Sequence, residues 1–495
     1  MSPEIEIRQR TLTLLAIFLA MFLGALDQTI VAAAMPRIVA DLHGINRFAW
    51  IATAYLTAST ALIPIYGKLA DVYSKRAIEI FAVSLFLLGS ILCGFAGKIP
   101  LPGALDDGMT QLIIARAIQG LGGAGLFALA FIIIADLFPP AERGRYQGYT
   151  GAVFAAASVL GPTLGGLLTD HGNGLIPGIE GWRLVFFVNI PFGALALWFI
   201  IKFMPQLTRP QTKRPDWISG GFLIVGLSLF VLTLQSFRTG AGSPHLLWLI
   251  SIALIALVIF MVRSLRHPQP ILNFSLFKGP VFGPAVAAIF LLGGAFIGIV
   301  IFEPLYIVNV MKLSATDAGM SLIPLSLGVV TTSILSGRMV SRFGHYKLWM
   351  LTGIVLLLCG LLLLTNMSER TSYHALMIYL GICGLGIGPS MPLYTLAVQN
   401  ATPVQFIGQA TAICQFFRQI GGVIAASILG LVLNLSINHL NSVKANPADH
   451  SYAVLRVHLF AIGTGRLFET LIFMVSAGLV ATLFVPELPL RKRHG

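Results

Sequence analysis

Gly67-Lys68-Leu69-Ala70-Asp71-Val72-Tyr73-Ser74-Lys75-Arg76 has an echo in this chain, Gly337-Arg338-Met339-Val340-Ser341-Arg342-Phe343-Gly344-His345-Tyr346-Lys347. Each copy opens on a glycine at the end of an apolar run and closes in a tight basic loop. With 56% hydrophobic and 10% charged residues over 495 positions, the chain carries more apolar surface than a water-soluble core buries. Apolar runs of about 20 residues, the length that crosses a bilayer as a helix, recur throughout. They predict fourteen helices, over 12–34, 48–69, 78–97, 111–135, 147–168, 184–204, 217–237, 246–263, 281–311, 319–340, 348–365, 375–398, 406–435 and 466–485. The two loops then follow helices 2 and 10. If both follow the second helix of a six-helix unit, the second unit starts at helix 9 and helices 7 and 8 are an insert. The expected fold is an all-α integral membrane protein: a six-helix bundle over 1–205, a two-helix insert with its linker over 206–280, and a second six-helix bundle over 281–495. Many secondary transporters are built from such repeated halves, with the substrate site between them.

The net charge of +13 is spread through short loops, which argues against a nucleic-acid partner. In a membrane protein it sets orientation. With the N-terminus inside, Lys and Arg favour the inner side by roughly two to one, counting Lys75, Arg76, Arg143, Arg145, Lys213, Arg214, Arg263, Arg266, Arg342, Lys347 and Arg491-Lys492-Arg493, so both termini are expected in the cytoplasm. Cys93, Cys359, Cys383 and Cys414 all fall in apolar runs without metal-ligand spacing, and the histidines form no cluster, so neither a metal nor a cofactor is expected. Gly120-Leu121-Gly122-Gly123-Ala124-Gly125 fits G-x-G-x-x-G only on paper, because no strand precedes it.

Four charged residues stand well inside predicted helices, away from their ends. A carboxylate or guanidinium there costs several kcal/mol and marks a functional site by default. Asp27 lies about two-thirds of the way out along helix 1. Arg116 lies at similar depth in helix 4, so the two can pair and offset each other's desolvation. Protonating Asp27 would release Arg116 and bias a two-state helix arrangement. Glu303, before Pro304 in helix 9, is read either as a second proton or cation site or as an acid reaching the outer water layer. Arg418 in helix 13 either steadies a carboxylate or backbone carbonyls or is plainly structural.

These residues sit in motifs that resemble the major facilitator superfamily and, within it, the 14-helix drug:proton antiporters. The resemblance is carried by Leu26-Asp27-Gln28-Thr29-Ile30-Val31 with Met35-Pro36-Arg37-Ile38, by the loop from Gly67 to Arg76, by Arg116-Ala117-Ile118-Gln119-Gly120-Leu121-Gly122, by Gly161-Pro162-Thr163-Leu164-Gly165-Gly166, and by Trp182-Arg183 with Phe187-Val188-Asn189-Ile190-Pro191-Phe192-Gly193. It departs at Ser74, where the loop motif has glycine, and at Ser341, which replaces the aspartate in the second copy. The buried charges point to proton coupling at Asp27 and Arg116 and, in the first of its two readings, at Glu303; the loop motif and the cytoplasmic helix ends point to a gate at Gly67, Asp71, Arg76, Asp136 and Arg143. In that gate Asp71 meets a helix N-terminus or an arginine, and Glu79 joins the same network. The resemblance implies an antiporter motif of close helix packing at Gly161, Pro162, Gly165 and Gly166.

The leading expectation is therefore not an enzyme. It is a monomeric, proton-coupled exporter of lipophilic or cationic amphipathic small molecules in the cell's inner membrane, with protons and the lipid bilayer as its other partners. Trp50, Tyr55, Phe154, Met391, Tyr394 and Arg418 are candidate cavity residues. A lipid exporter on the same fold is the alternative. A membrane-embedded enzyme or receptor would need a catalytic constellation or ligand domain that the sequence does not show.

Overall fold

The computed structural model describes residues 3–44, 47–206, 216–238, 244–368, 371–437 and 450–490. Lys213, Arg214 and Arg491-Lys492-Arg493, used above for orientation, lie outside them. The described residues form helices and no strand. In chain order these are α1 (Pro3–Asp41), α2 (Phe48–Val72), α3 (Lys75–Gly94), α4 (Gly108–Leu137), α5 (Pro140–His171), α6 (Gly181–Phe203), α7 (Trp217–Arg238), α8 (Pro244–Arg266), α9 (Phe282–Met311), α10 (Ala315–Phe343), α11 (Lys347–Thr365), α12 (Tyr373–Ala401), α13 (Ile407–Ile437) and α14 (His450–Leu483). Thirteen of these helices are long and apolar enough to cross a membrane. The remaining one, α2, is less apolar because Thr53, Thr57, Ser59 and Thr60 interrupt it, yet all four are buried. The protein is thus a multi-pass membrane protein.

Helices outrun the predicted spans because hydropathy reports the bilayer segment and not the helix. The first continues past Pro36 to Asp41, and the last begins at His450 rather than 466. Three helices are irregular inside. The sixth breaks at Val188, the ninth ends in a π-helical turn over Ile307–Met311 just after Pro304, and the twelfth breaks at Gly388-Pro389.

Packing repeats with a shift of eight helices. The pairs α1–α5, α2–α4, α3–α4 and α1–α6 recur as α9–α13, α10–α12, α11–α12 and α9–α14. Contacts between the two sets follow the same rule: α2 packs on α13, and α10 on α5. The hairpin of α7 and α8 touches the rest through α7, which lies on α2 and α13. Trp248, Leu247, Leu265, Ile255 and Val258 of α8 are exposed. Where the hairpin enters, Asp216 accepts from Arg263 and Ser219.

The repeated glycines have another purpose than ending helices. Gly67 and Gly337 lie inside α2 and α10, which run on to Val72 and Phe343. A Cβ on Gly67 would meet Ala412 Cβ at 2.3 Å, and one on Gly337 would meet Gly144 O at 2.1 Å. Both are points where helices of opposite sets touch backbone to backbone, which only a residue without a side chain allows.

Candidate transport site

Asp27 is fully buried and accepts from three side chains on two helices. Arg116 Nη1 of α4 lies 2.5 Å from Oδ2, Gln119 Nε2 of α4 lies 2.8 Å from Oδ1, and Asn189 Nδ2 of α6 lies 3.0 Å from Oδ1. Arg116 and Gln119 share one helix face because they are three residues apart. Ser90 Oγ of α3 accepts from Gln119 at 3.1 Å and from Asn189 at 2.8 Å, and donates to Phe186 O. Arg116 also donates to Gln119 Oε1 at 2.6 Å and to Ile51 O, and its guanidinium lies 4.5 Å from the Tyr55 ring centroid. The result is a dry ion pair whose remaining donors and acceptors are largely met, the condition under which a buried pair persists.

Glycines press the helices onto this network. A Cβ on Gly89 would lie 2.4 Å from Gln119 N, which places α3 against the turn that holds Asp27. Gly161 and Gly165 of α5 do the same to α1. Their added Cβ atoms would lie 2.0 Å from Thr29 Oγ1 and 2.7 Å from Ile30 O, and Thr29 Oγ1 donates to Ala157 O at 2.9 Å. Gly166 meets nothing within 4 Å, and Pro162 is exposed within the helix. The glycines from Gly120 to Gly125 pack α4 on Tyr55, Phe86, Ala82 and Tyr66.

At the other end of α2, on the face that carries the chain termini, the two halves are clasped. Asp71 Oδ1 accepts from Gly408 N at 2.8 Å and Oδ2 from Gln409 N at 2.9 Å, the first amides of α13. This is the partner a helix N-terminus offers a carboxylate. At the equivalent place Ser341 Oγ accepts from Arg145 N of α5 at 3.2 Å, one neutral bond against two charged ones. Between them Gln147 Nε2 donates to Gln399 Oε1 at 2.9 Å, and Gln399 Nε2 donates to Thr411 Oγ1 at 2.9 Å.

The family model described as Major Facilitator Superfamily matches residues 17–426. The chain belongs to the major facilitator superfamily. Multidrug resistance protein 3 of Bacillus subtilis (strain 168) is 36% identical over 430 residues, covering 86% of this chain and 80% of that protein. Multidrug transporter protein MdtP of the same organism is 36% identical over 491 residues, covering 98% and 86%. Among solved structures, the proton:xylose symporter XylE matches with a TM-score of 0.66 at 14% identity, covering 97% of each chain. The human organic anion transporter MFSD10 matches with a TM-score of 0.63 at 14% identity, covering 96% of this chain and 100% of that one. The last two speak for the fold alone. The protein is a transporter of this superfamily and not an enzyme, with relatives that are multidrug efflux proteins.

The residues expected at the gate make the following contacts. Asp136 pairs with Lys75 Nζ at 2.8 Å, both buried. Arg143 donates to Phe138 O at 3.0 Å and Ala135 O at 2.7 Å, capping the end of α4. Arg76 donates to Ile201 O on α6. Glu79 is fully buried one turn beyond Lys75, and neither of its oxygens has a hydrogen-bond partner. Asp71 bonds to backbone amides and not to an arginine.

Of the cavity candidates, Tyr55 belongs to the Asp27 site and Phe154 stacks on Phe127 with centroids 5.4 Å apart. Trp50 is exposed, and Tyr394 is buried with its hydroxyl 2.5 Å from Thr482 Oγ1. Met391 and Arg418 share a pocket. Glu303 is fully buried: Oε2 accepts from Ser321 at 3.1 Å and Oε1 has no partner, so it does not reach an outer water layer in this arrangement.

Proposed function

We propose that the protein is a proton-coupled exporter of lipophilic and cationic amphipathic compounds, working by alternating access as a monomer in the cell's inner membrane with both termini in the cytoplasm. The observation that carries this reading is the Asp27 site: a titratable acid shut away from water, paired with one base, in a superfamily whose relatives here are multidrug efflux proteins. Protonation of Asp27 cancels its charge. Arg116 is not stranded by that change, because Gln119 Oε1, Ile51 O and the Tyr55 face still hold it. The neutral and charged forms therefore favour different packings of α1 against α4, and the proton selects between them.

Export then needs the two halves, 1–205 and 281–495, to rock about the site while α7 and α8 ride outside as an accessory pair. The clasp at Asp71, Gln147 and Ser341 holds the terminal face shut in one state. Glu303, with a free acceptor at Oε1, supplies a second carboxylate for a proton or a cationic head group. The test is a substrate panel on proteoliposomes with an imposed pH gradient. Flux of a lipophilic cation that follows the gradient supports the reading. Gradient-independent leak, or no flux for any compound across the panel, overturns it.

A further inference from the structure

Two of the buried bases described above pair with a carboxylate, and Arg418 does not. Arg116 has Asp27, and Lys75 has Asp136. Arg418, partly buried on α13, donates Nη1 to Gln415 Oε1 at 3.1 Å and Nη2 to Met391 O at 3.0 Å. Both acceptors are neutral, and among the described residues no ion pair reaches it. Glu303 is no substitute. Arg418 packs on Gly293, whose added Cβ would lie 3.0 Å from Arg418 Cγ. At the 1.5 Å rise per residue of an α-helix, Glu303 lies about 15 Å further along α9.

The surroundings reinforce the imbalance. Since Gln415 Oε1 is taken by the guanidinium, its Nε2 faces the other way, and that atom is buried without a partner. Gln415 is 6% exposed. In this state Arg418 borders a pocket of about 10 Å³, room for one water, between α9, α12 and α13, lined by Leu292, Phe296, Ser390 and Met391. The α12 break at Gly388-Pro389 sits at the wall of this pocket and frees the backbone near Met391. A cation stands beside an apolar pocket with no anion among the described residues to meet it. An uncompensated charge at membrane depth is costly and is retained where it has work to do.

We propose that Arg418 is the specificity element for carboxylate-bearing substrates: in the state in which this pocket widens, it receives the carboxylate of anionic or zwitterionic lipophilic compounds while the apolar body lies against Leu292 and Phe296. This rests on the exporter reading above and widens its substrate class beyond cations. A charge-assisted guanidinium–carboxylate bond gives roughly tenfold or more in affinity.

The test uses three fluorescent probes of one aromatic body on the purified full-length protein: dansylglycine, its methyl ester and dansylcholine. Wild type is expected to bind dansylglycine at least tenfold tighter than the ester. Arg418→Gln should bring that ratio close to one without weakening dansylcholine, and Arg418→Lys should keep part of it. No carboxylate preference in wild type, or a preference that survives Arg418→Gln, overturns the proposal. Should Arg418→Gln not fold, wild type and Arg418→Lys decide: an unchanged ratio in the lysine variant overturns it, because a point charge cannot reproduce the guanidinium fork. A carboxylate preference that depends on Arg418, together with absent gradient-driven flux of dansylcholine, would sink the exporter reading and leave this site standing.

Discussion

Asp71→Asn should open the terminal face. In the clasp each carboxylate oxygen of Asp71 receives one amide of α13, at 2.8 and 2.9 Å, and the side chain is 4% exposed. Hydrogen bonds to a charged group contribute about 1.5–3 kcal/mol each, and a charge at a helix N-terminus about 0.3–1 more. Asparagine keeps one acceptor, now neutral, and turns an NH2 toward an amide that also donates. One charged bond and the dipole term are lost, on the order of 3 kcal/mol. At 1.4 kcal/mol per decade that is roughly a hundredfold in the closed-to-open ratio, enough to turn a state about 99% closed into an even mixture. Nitroxides on cysteines placed at Ala77 and Phe343, on opposite halves of that face, read the opening as a second, longer distance in a pulsed electron–electron resonance experiment. Wild type should show one short population. A distance distribution in Asp71→Asn that matches wild type would mean that glycine packing alone holds the face shut, and the electrostatic argument would fail.

The same geometry carries four further expectations. Asp27→Asn should abolish pH-gradient-driven export while leaving insertion and folding intact; full export across pH 6–8 would remove Asp27 from proton coupling. Glu303→Gln should weaken flux of a lipophilic cation more than that of a neutral analogue, since only the cation gains from the carboxylate; equal losses would assign Glu303 to structure or protons. Gly89→Ala puts a methyl 2.4 Å from Gln119 N, so it should cost about 1–3 kcal/mol and drive Gln119 off Asp27. Its melting temperature should fall and export with it, and a wild-type melting curve would refute the close packing. Ser341→Asp should give the second clasp a charged acceptor at Arg145 N, slow turnover and sharpen the short distance between Ala77 and Phe343; faster turnover would count against it.

How much of this was readable beforehand follows from what kind of signal each feature leaves. The helices were readable because a bilayer imposes length and apolarity, and the glycine–basic loop gave the repeat. Asp27 and Arg116 stood out because charge in an apolar run is rare. Their amide partners did not. Gln119 lies three residues after Arg116 and could have been placed on the same face by spacing alone. Asn189 was within a quoted motif, but its contact with α1 depends on where α6 breaks. Ser90 is a lone hydroxyl in an apolar helix and leaves no trace in sequence. The Gln147–Gln399 bond joins residues far apart in the chain and needs the halves docked before it exists. Gly67 and Gly337 were misread as helix ends because a glycine near a basic loop looks like a stop. Close approach of a second helix is invisible in one dimension.

What joins the Asp27–Arg116 pair to the clasp is one helix. Near one end of α2, Ile51 O and the Tyr55 ring hold Arg116; near the other, Gly67 and Asp71 lie against α13. At 1.5 Å per residue the two ends are about 30 Å apart. Tyr55 also fits closely against α4, since a Cβ on Gly120 would lie 2.4 Å from its carbonyl oxygen. Any movement of Arg116 on loss of the Asp27 charge must therefore pass to α2 or break that packing. Pro64 lies between Tyr55 and Asp71 and removes one bond of the helix ladder, so a displacement at Tyr55 arrives at Asp71 to the extent that the packing around α2 keeps the helix from bending there. At Asp71 it meets bonds whose strength depends on a few tenths of an ångström. If the Asp27 pair is coupled to the clasp as proposed, no chain of relays is needed; α2 has to move as one body, and its buried Thr53, Thr57, Ser59 and Thr60 tie it into the protein along that length.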